Sequence, residues 1–131
     1  MTNLSVLFWK GTRRNGQFIS ERELDWYSKR IGISVVDGMQ YFIGNNHDYP
    51  SSENQYSAAI GAHITHMLRD TISDISNGFI NIPIGVTSQY NIDDLHSATV
   101  RSWIKDRVFL ARRYFKEGKV YNELIETFKD L

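Results

Sequence analysis

Apolar side chains recur at helical spacing in three long stretches of this chain, and no stretch shows the strict alternation of a half-buried strand. The first stripe is Leu24, Ile31, Val35, Met39 and Phe42. Ser20 and Glu23 stand just before it in capping-box spacing, so a helix is expected from Glu21 to Phe42 or Ile43. Gly32 and Gly38 fall inside that helix, where glycine costs about 1 kcal/mol relative to alanine, and so point to close approach by another helix or a ligand. The second stripe is Tyr56, Ile60, Ile64, Met67 and Leu68. It follows a second capping pattern at Ser52 and Gln55, which predicts a helix over about Glu53 to Asn77, ended by Gly78 in the left-handed conformation. The small residues Ala58, Ala59, Gly61 and Ala62 leave room for something to lie against that helix. The third stripe, Val100, Ile104, Val108, Ala111 and Phe115, predicts a helix over about Ser97 to Glu117, stopped by Gly118, and then a short helix over about Val120 to Lys129. Residues 1–10 read as a short helical piece, Gly11 to Gly16 as a basic turn-prone loop, 44–52 as a polar loop around Pro50, and Ser88 to His96 as a loop with room for one helical turn. The expected fold class is all-α, a helical bundle, with residues 1–131 in one domain.

The middle helix carries the chemistry. His63, His66, Asp70 and Asp74 are spaced so that, at about 3.6 residues per turn, they share an arc of roughly 80° on one face. Two carboxylates on one face repel unless something positive lies between them. A hard divalent cation answers that need: Mg²⁺ is commonly held by one or two carboxylates, with substrate phosphates and water completing the octahedron. Arg69, beside the first carboxylate, offers a planar fork suited to phosphate. The competing readings are a solvated helix face for Asp70 and Asp74, polar cleft-lining side chains for His63 and His66, and a plain surface ion pair for Arg69. The two histidines with the two carboxylates would also suit zinc or another transition metal.

Composition narrows the partners. The chain has 15 basic and 15 acidic residues and zero formal charge, so bulk charge indicates no nucleic-acid partner. Zero charge with seven Phe, seven Tyr and three Trp favours self-association. The absence of cysteine excludes disulfides, thiolate zinc sites and cysteine nucleophiles. The apolar run Leu4 to Trp9 is too short for a signal core or a membrane span, which gives a cytoplasmic expectation. A greasy substrate would still draw such a chain to a membrane surface, although no basic amphipathic helix announces peripheral contact.

The segment from His63 to Asp74, closed by Gly78 to Pro83, resembles the second aspartate-rich motif of the squalene/phytoene synthase family, the head-to-head prenyl transferases of the isoprenoid synthase fold. That motif runs Q-x-x-N-x-x-R-D-x-x-x-D, followed by a G-R-x-Y-x-P-like loop. Upstream, Glu23-Leu24-Asp25-Trp26-Tyr27-Ser28 through Val35 resembles the family's E-L-x-x-Y-C-x-x-V-A-G-x-V helix, and Arg101 to Tyr121, with Trp103 and Ala111 to Phe115, resembles the helix that follows. The likeness covers roughly residues 20 to 121. It departs in that both family amides are histidine here, at His63 and His66, and Phe79 stands where many members carry Arg. Family enzymes run to about twice this length and carry a first aspartate-rich motif, which has no counterpart before Tyr27. The resemblance therefore implies part of an isoprenoid-synthase bundle, about the second half of the catalytic domain.

The resemblance further implies Mg²⁺, or Mn²⁺ in its place, on Asp70 and Asp74 with His66, diphosphate contacts from Arg69, His63 and His66, and Tyr27 near the reacting centre. The substrate implied is farnesyl or geranylgeranyl diphosphate, two molecules of which are joined head to head. With one aspartate-rich motif, the expectation is slow or absent turnover by this chain alone. The alternative is a non-catalytic relic, a helical interaction or assembly domain. A di-metal carboxylate bundle would require Glu-x-x-His pairs on two helices, and none is present.

Overall fold

A computed structural model describes residues 19–44, 52, 54–86 and 95–129. The expected short helix over 1–10, the basic loop at 11–16, most of the loop around Pro50 and residues 88–94 of the loop expected over Ser88 to His96 lie outside the described residues, while Leu95 and His96 form a short 3₁₀ turn ahead of the third helix. Among the described residues there are three helices: α1 (Glu21–Ile43), α2 (Ser57–Ser76) and α3 (Ala98–Lys129). The class is all-α; among the described residues the only sheet-like pairing is one isolated bridge between Ile19 and Pro83.

α1 begins where local chemistry directs. Ser20 Oγ accepts the Glu23 amide at 3.2 Å, and the Glu23 carboxylate accepts the Ser20 amide at 3.0 Å, closing a full capping box. α2 starts four residues later than the sequence pattern suggests. Ser52 and Gln55 do not cap it: Ser52 Oγ accepts the Asn54 amide and the Ser52 carbonyl accepts the Gln55 amide, so this stretch closes into a turn. Tyr56 is the residue at the cap, without a side-chain cap bond, and its hydroxyl instead donates to Asp37 on α1 at 2.9 Å. At the other end the helix stops as expected. Gly78 has φ 83°, its amide bonds the Ile75 carbonyl and the Phe79 amide bonds the Asp74 carbonyl at 2.8 Å, a Schellman closure.

α2 packs along both α3 and α1. One buried cluster joins Ile19, Leu24, Ile82, Val100 and Trp103; a second joins Ile60, Ile64 and Ala111. After α2 the chain turns back beneath the start of α1, where the Ile84 amide donates to the Ile19 carbonyl at 2.9 Å and Ile80, Ile82 and Pro83 are buried.

Several expectations of the pattern are corrected. α3 is one continuous helix through Gly118, not two helices. A methyl group there would stand 2.8 Å from Ala58 Cβ and 3.0 Å from the Ala58 amide nitrogen, so Gly118 permits close crossing with α2 and is not a stop. Gly32 does the same against Ile60, whereas Gly38 has nothing near its missing side chain. The buried face of α3 is Val100, Trp103, Arg107, Ala111 and Tyr121, while Phe115 is 45% exposed. On α1 only the first part of the apolar stripe is covered: Leu24 is buried, but Val35, Met39 and Phe42 are exposed, Phe42 by 83%. Among the described residues no helix is long and apolar enough to cross a membrane.

Candidate functional site

The helical spacing of α2 brings His63, His66, Asp70 and Asp74 to one side, together with Met67. Tyr27 of α1 faces them, and the Schellman turn returns Phe79 and Asn81 to the same place. These side chains line one open recess of about 260 Å³. Five of the six residues singled out from the sequence therefore meet in a single cleft, although Tyr27 comes from a different helix.

Arg69 is the sixth, and it does not line the recess. Its guanidinium forks onto its neighbour, with Nε donating to Asp70 Oδ1 at 2.7 Å and Nη2 to Oδ2 at 2.9 Å. That bidentate pair holds the Asp70 carboxyl below the usual carboxylate range. Both groups face solvent, so the pair is easily exchanged for another partner. Asp74 is half-buried and accepts the Asn81 amide nitrogen Nδ2 at 3.2 Å.

His63 sits deepest. Its ring meets the Tyr27 ring edge-on, centroids 5.5 Å apart, and its Nδ1 is buried without a hydrogen-bond partner among the described residues. Burial, and then the positive charges of His66 and Arg107, push its pKa down to about 4. His63 is thus a neutral imidazole at physiological pH. His66, one turn further on, is exposed.

Among the described residues no three His, Asp or Glu side chains converge as a ready-made metal cage. The carboxylate pair nonetheless suits a cation that takes most of its ligands from substrate and water, as Mg²⁺ does.

Asn81 was not legible as a site residue. Only the Gly78 stop hinted that the following loop folds back onto the helix. Arg107 also escaped notice. It is 4% exposed, forms an ion pair with Asp25 of α1, and lies 6.0 Å from the Trp103 ring centroid. Its helical spacing, one turn after Trp103 and one turn before Ala111, was the available signal.

No protein-family model matches this chain, and no curated protein or solved structure does so either.

Proposed function

We propose that the recess binds the diphosphate of a prenyl diphosphate through Mg²⁺ held on Asp70 and Asp74, and that the protein is a prenyl-diphosphate transferase of squalene/phytoene synthase type acting in the cytoplasm. On this reading the three helices are part of an isoprenoid-synthase bundle. One observation carries it: Tyr27, His63, His66, Asp70 and Asp74, placed on two helices, line the same recess.

The donor set fits the ion. Two carboxylates one turn apart supply hard oxygen ligands, and substrate phosphates and water complete the shell; Mn²⁺ would fit equally. When bound, the metal stabilises the negative charge that develops on the leaving diphosphate. His66 lies at the mouth to hydrogen-bond or complete the coordination. His63, neutral, offers a hydrogen bond to the diphosphate from the floor. Asn81 steadies Asp74. Arg69, whose fork rests on Asp70, would be the guanidinium available to a bound phosphate. Tyr27, Met67 and Phe79 line the same recess, where the Tyr27 hydroxyl would lie near the reacting centre and Met67 and Phe79 would shield a cation from water, the aromatic ring favouring positive charge. The substrates are farnesyl or geranylgeranyl diphosphate, joined head to head.

A second reading, a non-catalytic helical interaction domain derived from that family, draws support from the Arg69–Asp70 pair and from the uncovered apolar face of α1. The test is Mg²⁺-dependent diphosphate release from farnesyl and geranylgeranyl diphosphate by the chain and by Asp70→Ala. Release that requires Mg²⁺ and disappears in the variant supports the transferase. No release from either supports the non-catalytic reading for this chain.

A further inference from the structure

Beside the recess, where α1, α2 and α3 meet, is a small, partly enclosed cavity of about 10 Å³. Its apolar wall includes Leu24 and Ile64. Its polar wall is Thr71, Asn81, Trp103 and Arg107. Two of these are more than nine-tenths buried, Trp103 at 8% and Arg107 at 4% exposure. The Trp103 indole nitrogen is fully buried and has no hydrogen-bond partner among the described residues. An indole N–H kept from water without an acceptor costs about 1–3 kcal/mol, so such groups are rarely left unpaired.

The size of the cavity matches its chemistry. One water needs about 10–15 Å³ on this measure and two to four polar partners. The wall offers suitable partners of both kinds. Trp103 Nε1 and the Arg107 guanidinium can donate to the water oxygen. Thr71 Oγ1, which already donates to the Met67 carbonyl at 2.9 Å, keeps lone pairs to accept a water proton, and the Asn81 side chain carries an amide oxygen.

We infer that this cavity is a binding site for one structural water, which accepts from Trp103 Nε1 and bridges the indole to Asn81, and which the Trp103, Arg107 and Asn81 side chains hold without need of the Thr71 hydroxyl. Asn81 borders both spaces, since it lines the recess and donates to Asp74. The water therefore ties the core tryptophan of α3 to the side chain that steadies Asp74.

The test is a water–protein cross-relaxation spectrum of the full chain carrying ¹⁵N-labelled tryptophan. The Trp103 indole signal is identified by its loss in Trp103→Phe, or by elimination with Trp9→Phe and Trp26→Phe if that variant does not fold. The expected result is a cross-peak between the Trp103 indole proton and water, with NOE and ROE of opposite sign, as for a bound water and unlike the sub-nanosecond exchange of surface hydration. The cross-peak is also expected in Thr71→Val, which removes the one hydroxyl on the wall and leaves the other partners. An indole proton without the cross-peak, NOE and ROE of equal sign, or loss of the signal in Thr71→Val would each overturn the inference.

Discussion

Two glycines on one helix should respond to the same substitution with opposite sign. Gly32 and Gly38 both lie inside α1, where glycine to alanine is worth about 1 kcal/mol of helix propensity. At Gly38 the added methyl meets nothing within 4 Å, so Gly38→Ala should gain about 0.5–1 kcal/mol. At Gly32 the methyl would stand 2.5 Å from Ile60 Cγ1 and 3.1 Å from the Ile60 amide nitrogen. Ile60 is 7% exposed and wedged in the cluster with Ile64 and Ala111, so neither its side chain nor its backbone can yield without moving α2. Overpacking of this kind costs about 1–3 kcal/mol, which outweighs the propensity gain. Gly32→Ala should therefore lose about 1 kcal/mol, and the two variants should differ by about 2 kcal/mol, or about 8 °C in Tm for a domain of this size. Urea and thermal unfolding followed by far-ultraviolet circular dichroism measure this directly. Equal stabilisation of both variants would refute the close α1–α2 crossing.

Three further outcomes follow from particular contacts. His63 titrates near 6.5 in the unfolded chain but near 4 in the fold, so below pH 6.5 the unfolded state binds a proton that the fold refuses. Stability should fall as pH drops from 6.5 towards 4, by about 2 kcal/mol at pH 5, and His63→Gln should flatten that slope in urea titrations; an unchanged slope would refute the burial of a neutral imidazole. Asp25→Ala strands the Arg107 charge inside the bundle and should cost about 2 kcal/mol, less than a fully buried pair because Asp25 is 44% exposed; a loss under about 0.5 kcal/mol would contradict this. Ser20→Ala removes the α1 cap and should cost about 1 kcal/mol in unfolding free energy, whereas an unchanged Tm would show that the capping box is not formed.

What the sequence made legible was local. The Ser20–Glu23 box and the Gly78 stop are decided within a few residues, and α1 begins and α2 ends where those signals stand. The grouping of His63, His66, Asp70 and Asp74 follows from helical rotation alone. What failed depended on distant partners. Gly118 reads as a terminator until Ala58 is seen against it. Ser52 and Gln55 have capping spacing, yet the backbone between them closes into a turn. Periodicity marked Val35, Met39 and Phe42 as an apolar face but carries no information about what covers it. The Asp25–Arg107 pair and the Asn81–Asp74 bond each join segments that only the folded chain brings together.

The uncovered part of α1 is continuous with a second, apolar groove of about 280 Å³ between the ends of α1 and α3, bordered by Val36, Met39, Ile43 and Tyr121. It lacks the carboxylates and imidazoles of the recess, so the diphosphate chemistry belongs to the latter.

The central claim is that Asp70 and Asp74 form a Mg²⁺-dependent diphosphate site. Calorimetric titration of farnesyl diphosphate into the chain, with and without Mg²⁺, tests it for wild type and for Asp74→Asn. The account predicts saturable binding that requires Mg²⁺ and is lost in Asp74→Asn. Binding of equal strength without Mg²⁺, or unchanged in the variant, would contradict it, as would no binding under any condition.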